Sequence, residues 1–389
     1  MTVMPPTGRS FGQQSRRGFL GMIGIGAAAS LAACAPTNSN GGSTPSGAEV
    51  TSAEIDGDLN LFSWAQYVPD EVIAGFEKEY GVKVNITNFS TVDEMMTKLA
   101  TNQPYDLTFA PSERIKLMAE GGLIQRLDHD LLENYGEVLP QFVVPPYNPG
   151  DDAANEFIAP FVGTPYATGS VGLAWRNDII TGMTGSLNDL WTQADAASGH
   201  LYLWDDMTLT LSLVLRAIGH APQDAGQAEL DEALAAIKEL RPNLGGWSGI
   251  SEEMITSGQA WLTPIYAANL FMALQSLDNA EQWSFQNNTE SALFNADNLV
   301  IPATAEHTGT AVKFIDWVLA PENMEQVVNW IAYPIPTTTG MATYNELIAD
   351  VPWIGIDEAI FADSEQWVAP VSDEALPLWR QTWSQAKAG

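Results

Sequence analysis

Catalysis needs reactive groups at particular spacings, and this chain does not offer them. The four histidines, His129, His200, His220 and His307, are widely scattered. No two stand four apart, the spacing that sets a zinc-binding pair on one helical face. No Gly-x-Ser-x-Gly elbow, phosphate loop or dinucleotide fingerprint occurs. A Ser-His-Asp triad is assembled in space and stays open. Carboxylate pairs carry no signal, because the chain has 48 Asp and Glu. An enzyme is therefore the weakest of the readings.

One thiol does carry a recognisable chemistry. Cys34 ends the string Leu31-Ala32-Ala33-Cys34, which resembles a lipoprotein processing box. There the cysteine is acylated and becomes the new N-terminus. Arg16 and Arg17 stand upstream, and residues 19–33 are uncharged and rich in Gly and Ala. That stretch is too short for a permanent membrane span. Twin arginines, a weak apolar segment and the box in this order predict export by the twin-arginine route and a lipid anchor at Cys34. The expected parts are a signal peptide over 1–33 and a flexible tether over 34–57, rich in Ser, Thr, Asn, Gly, Pro and Ala. With its only cysteine in the anchor, the working domain has none for a disulfide, a metal or a nucleophile.

After residue 33 the chain keeps 13 Lys and Arg against 48 Asp and Glu, a net charge of −35. Phosphate binding needs the opposite sign, so nucleic acid is excluded as a partner. The field could steer cations, although a solvated acidic surface suited to salt accounts for most of it.

The elements that position the site follow a βα rhythm. Strands are expected at 59–63, 82–86 and 107–109. Helices alternate with them from Pro69-Asp70 to Gly81, over 92–100 and over 112–120. Val72, Ile73, Phe76 and Tyr80 share one face of the first helix. Right-handed crossovers then give a parallel sheet covered by helices. The middle repeats the theme, with strands at 171–175, 201–204 and 299–301. Its helices are expected at 207–218, 229–240, 309–319 and 321–332. The pattern fits an α/β protein with two lobes and a cleft at the strand ends. No later apolar run is long enough to cross a membrane.

Several ordered strings resemble the spermidine/putrescine-binding type of ABC-importer solute-binding protein. They are Ser63-Trp64-Ala65-Gln66-Tyr67-Val68-Pro69, Tyr105-Asp106-Leu107, Pro165-Tyr166-Ala167-Thr168-Gly169 and Ser186-Leu187-Asn188-Asp189-Leu190-Trp191. Trp204-Asp205-Asp206, Asp297-Asn298-Leu299-Val300-Ile301-Pro302, Tyr333-Pro334-Ile335-Pro336 and the Lys387-Ala388-Gly389 end complete the set. The likeness runs from about Asp58 to Gly389. It implies a two-lobed, type II periplasmic-binding-protein-like fold, with two sheets, flanking helices and a cleft between lobes. Lobe one would be 58–168 with 298–341, and lobe two 169–297 with 342–389.

The resemblance also implies a site. A polyamine is a chain of ammonium groups and methylenes, so rings must wall it and carboxylates must take its charges. Trp64, Tyr67, Asp206, Asp297 and Tyr333 match that pattern. Gln66, Leu209 and Asn295 depart from it, standing where the family carries an acid, an acid and a Trp. Tyr266 replaces a Trp. Ser112, Glu113, Arg114 and Asp205 are secondary candidates, and Arg114 would suit a ligand that also bears a carboxylate. Each residue has a packing alternative. Trp64 and Tyr266 could be core, Asp206 a helix cap, Asp297 a turn cap before its strand, and Tyr333 a hinge contact. The implied function is capture of a cationic amine by lobe closure, without cofactor or metal, by a monomer that meets the membrane through its lipid and delivers to an ABC permease. The alternative is the same fold holding an amino acid-like, opine-like or other small polar solute.

Overall fold

The computed structural model describes residues 48–143 except 102, 164–248, 251–287, and 293–388 except 357, 359–360, 362–366, 369–370 and 373. The leader, Cys34 and most of the expected tether lie outside them. The strands are β1 (Glu49–Val50), β2 (Leu59–Trp64), β3 (Val84–Phe89), β4 (Leu107–Pro111), β5 (Arg126–Leu127) and β6 (Thr164–Arg176). They continue with β7 (Leu201–Trp204), β8 (Leu244–Ser248), β9 (Leu262–Tyr266), β10 (Trp283–Asn287) and β11 (Leu293–Val300).

Helices Asp70–Tyr80 and Val92–Ala100 return the chain so that β3, β2 and β4 run parallel. The first helix closes at Gly81, whose φ of 70° is the left-handed conformation that glycine adopts without a Cβ clash. Beyond β4 the sheet turns antiparallel, with β11 pairing with β4 and then with β6. β9 and β10 pair antiparallel with β6, and the order then continues through β7 and β8, which run parallel to β9. The long strands β6 and β11 thus lace the β3-β2-β4 group to the β9-β7-β8 group.

Alternation in β2 sends Leu59 and Leu61 to one side and Phe62 to the other, the period of a strand buried on both faces. Leu59 and Leu61 join Phe76, Phe314, Val318 and Met324 in one core cluster. Phe62 packs with Phe89, Met95, Met118 and Val300 in another. A third gathers Leu201, Leu203, Leu211, Val214 and Trp379 with the expected stripe of Leu230, Leu234, Ile237 and Leu240. Asp106 anchors the first half. Fully buried, it accepts bonds from the Asn60 backbone N–H (2.8 Å), the Asn60 side-chain amide (2.9 Å) and the backbone N–H groups of Glu306 and His307 (both 2.9 Å). A carboxylate so bonded bears its burial.

Two strands exceed their expected bounds. β6 runs from Thr164 rather than Val171, and β11 begins at Leu293 rather than Leu299. Polar residues hide the extra length in the sequence, yet Asn295 pairs with Gly169 and Asp297 with Ala167. The strand after Gly81 begins at Val84, two residues later than the alternation of Val82 to Ile86 suggests.

Candidate functional site

Strand ends converge on one cleft of about 1040 Å³. β2 delivers Trp64, followed by Gln66 and Tyr67. β4 delivers Pro111, after which Glu113 and Arg114 open helix Ser112–Glu120. β7 delivers Asp205 and Asp206, and β9 ends at Tyr266. The middles of β6 and β11 give Gly169, Asn295 and Asp297, and Tyr333 follows helix Pro321–Ile331. Trp64, Gln66, Tyr67, Asp206, Tyr266, Asn295, Asp297 and Tyr333 all line the cleft, together with Glu113, Arg114 and Asp205. Ser112 does not. It is buried, and its hydroxyl accepts from the Ala296 backbone N–H at 3.4 Å.

Asp297 is the centre of the polar network. It sits within β11, so it does not cap a turn ahead of the strand. The Tyr67 hydroxyl donates to its Oδ2 at 2.7 Å, and the Trp64 side chain adds a second hydrogen bond. Desolvation nevertheless outweighs both bonds and pushes its carboxyl up to about 6. Asp297 is hemmed in by protein yet keeps a face on the cleft, so a cation entering there would relieve that penalty.

Glu113 is pushed up to about 7, first by desolvation, with Arg114 opposing and Asp297 and Asp206 adding to it. Its Oε2 and the Nε of Arg114 are buried without a hydrogen-bond partner. Asp206 serves two roles. It caps helix Met207–Ala217 by accepting from Leu209 N–H at 2.7 Å, and it faces the cleft, where desolvation raises its pKa. Asp205 is already paired with Lys387 at 2.6 Å. The lining acids are Asp93, Glu113, Asp205, Asp206, Glu252 and Asp297, against Arg114 and Arg380. The cleft is a negative, partly desolvated chamber.

Rings form its walls. Trp64 leans on Phe89 with centroids 4.3 Å apart, and Tyr67 meets Phe109 edge-on at 4.9 Å. Tyr266 stacks on Trp204 at 5.3 Å and faces Tyr333 at 6.4 Å. The Tyr333 hydroxyl donates to Asn269 Oδ1 at 2.8 Å. Gly169 lets the two tyrosines close in, since a Cβ there would lie 2.9 Å from Tyr266 Cδ1 and 3.3 Å from Tyr333 Cε1. Gln66 holds a left-handed φ of 57°, and its carbonyl accepts from the Trp330 indole N–H at 2.7 Å.

Trp330, Asn269, Glu252, Arg380 and Trp383 are lining residues that sequence reasoning missed. Trp330 alone left a signal. It is a large exposed ring outside the Met324, Val327, Val328 and Ile331 stripe of its helix. Among the described residues, no group of three or more His, Cys, Asp or Glu is placed to hold a metal ion. Acids raised by burial and set among rings have the chemistry that suits a small organic cation.

The profile of the bacterial extracellular solute-binding proteins matches residues 71–353. The chain belongs to that family. This solute-binding protein is 26% identical over 341 residues to the spermidine/putrescine-binding periplasmic protein of Salmonella typhimurium, spanning 85% of this chain and 92% of that one. It is 22% identical over 299 residues to a putrescine/cadaverine-binding protein of Pseudomonas aeruginosa, spanning 76% and 82%. Among solved structures it resembles a putative spermidine/putrescine ABC transporter protein from Listeria monocytogenes, with TM-score 0.72, 21% identity and coverage of 86% and 99%. A lipoprotein of Treponema pallidum gives TM-score 0.71 at 19% identity, with coverage of 84% and 98%. The two-lobed binding-protein fold and solute binding, rather than catalysis, stand on these findings.

Proposed function

We propose that this protein captures a small cationic amine of the putrescine or spermidine type and hands it to a membrane ABC permease. The carrying observation is Asp297, a carboxylate oriented by Tyr67 and Trp64 and desolvated in an aromatic-walled cleft. Asp297 and Asp206 would take ammonium groups, with Trp64, Tyr67, Tyr266 and Tyr333 as walls. Relatives named for spermidine, putrescine and cadaverine support the class of ligand. Closure is proposed between lobe 58–168 with 298–341 and lobe 169–297 with 342–389, bending where β6 and β11 cross.

Arg114 favours a second reading. Its buried Nε lacks an acceptor, which an amine bearing a carboxylate or another acceptor would supply. A thermal-shift panel separates the two. Stabilisation by putrescine or spermidine supports the first reading. Stabilisation only by zwitterions such as ω-amino acids, or only by anions, supports the second and overturns the first.

The route is part of the proposal. A twin-arginine leader and an acylated Cys34 would hold a monomeric carrier at the membrane of its permease, raising its local concentration. Mass spectrometry of the native N-terminus is expected to find a lipidated Cys34. An unprocessed leader contradicts it.

A further inference from the structure

A second cluster of rings and charge lies beside Asp206, where β7 and β8 end. Helix Leu376–Lys387 carries Trp383 and Lys387 one turn apart on one face. Trp247 reaches them from β8, its ring edge-on to that of Trp383 at 5.1 Å. The Lys387 Nζ lies 5.0 Å from the Trp247 ring centre, 5.4 Å from that of Trp383 and 2.6 Å from Asp205 Oδ1. Asp205 follows β7 and its N–H donates to Ser248 at the end of β8 (3.0 Å), so adjacent strand ends fix both the acid and Trp247.

Two indoles and a carboxylate around one nitrogen are the parts an alkylammonium needs: ring faces for the charge and methylenes, and an anion for the N–H groups. Here a lysine supplies that ammonium. Asp205 and Trp383 belong to the lining of the main cleft, and Asp205 adjoins Asp206. We propose that the Asp205–Trp247–Trp383 cage is an ammonium subsite of the cleft, filled by the chain's own Lys387, which thereby limits the length of amine accepted. This rests on the amine reading above. A ligand long enough to send a distal ammonium to this edge meets a like charge in place. A short diamine held at Asp297 and Asp206 has both of its charges placed and needs no third subsite.

The helix does not need Lys387 to stay docked. Trp379 is buried in the core, and Arg241 donates to the Ala386 carbonyl. Lys387 and Asp205 remain partly open to solvent, with side chains 31% and 48% exposed, and such a pair is weak enough to exchange.

The test is Lys387→Met, which keeps the methylenes and removes the charge. n-Butylammonium is titrated while the indole N–H resonance of Trp247, which does not line the main cleft, is followed by NMR. It is expected to shift in Lys387→Met, and in neither the wild type nor Lys387→Met/Asp205→Asn. No shift in Lys387→Met overturns the cage. Calorimetry then compares spermidine with putrescine. The substitution is expected to raise spermidine affinity about tenfold relative to putrescine, the scale of one caged, charge-paired ammonium. An unchanged ratio overturns the length limit. Failure of both proteins to bind either polyamine sinks the amine reading and the length limit together, while the butylammonium titration still decides the cage.

Discussion

Asp297→Asn is expected to make the empty protein more stable and the site nearly useless. Asparagine matches the carboxylate in size and can still accept from Tyr67, so the perturbation is mainly the lost charge. In the folded state the Asp297 carboxyl is raised from 3.8 to about 6, so folding favours its protonated form. The resulting penalty on stability is absent below the lower value, grows as pH rises between the two, and is fully present above the higher. About two units correspond to roughly 3 kcal/mol at most. The open face on the cleft reduces this to about 1–2 kcal/mol. At pH 7.5 the ligand-free variant should therefore melt a few degrees higher. Its amine affinity should fall by about 2–4 kcal/mol, roughly 30- to 1000-fold, because a desolvated ammonium loses its partner. Paired thermal melts and calorimetry with putrescine read both effects. Unchanged affinity refutes the role of Asp297. A destabilised empty variant at pH 7.5 refutes the claim that burial strains the carboxylate.

Amine affinity should rise from pH 5 to pH 8, because Asp297 must ionise to hold a cation and burial holds it near 6, with the neighbouring Glu113 near 7. Calorimetry in buffers of different ionisation enthalpy should detect proton release on binding near pH 6.5, and a flat profile contradicts the assignment. Gly169→Ala should weaken binding by about 1–3 kcal/mol with a smaller effect on stability, since its Cβ displaces Tyr266. Wild-type affinity there would show that the spacing of the two tyrosines is irrelevant. Asp106→Ala should cost about 3–5 kcal/mol by orphaning the backbone N–H groups of Asn60, Glu306 and His307, measured by urea unfolding.

The first half of the fold is legible in the sequence because its signals are local. Helix Asp70–Tyr80 has Pro69 before it, Gly81 after it, and Val72 and Phe76 on its buried face. Helices Val92–Ala100 and Ser112–Glu120 appear at their expected bounds. The strands that hide do so for physical reasons. β8 contains Gly245 and Gly246, which carry no strand preference. β11 carries Asn295, Asp297 and Asn298, whose polarity masks a strand held by pairing on both sides. Helix Ala267–Gln275 leaves one face unburied, but Met272 stands there between Asn269 and Gln275, so the polar period is weak.

The site shows the same division. Trp64, Gln66, Tyr67, Asp206 and Asp297 stand in strings that could be read against a family, and the structure gathers them in one cleft. Asn269, Glu252 and Trp383 reach it only through tertiary packing, and nothing in their neighbours' sequence points there. The Lys387 cage is the extreme case. Its parts come from β8, the end of β7 and the last helix, 205 to 387 in the chain, and only the folded arrangement joins them.

The central claim is that Asp297 receives the charge of a small amine. A crystal structure grown with putrescine tests it most directly. The account predicts a ligand in the cleft with one ammonium within hydrogen-bond distance of Asp297 and its methylenes against Trp64, Tyr67, Tyr266 or Tyr333. A ligand whose charges leave Asp297 untouched, or a cleft that refuses putrescine while holding an anion on Arg114, contradicts it.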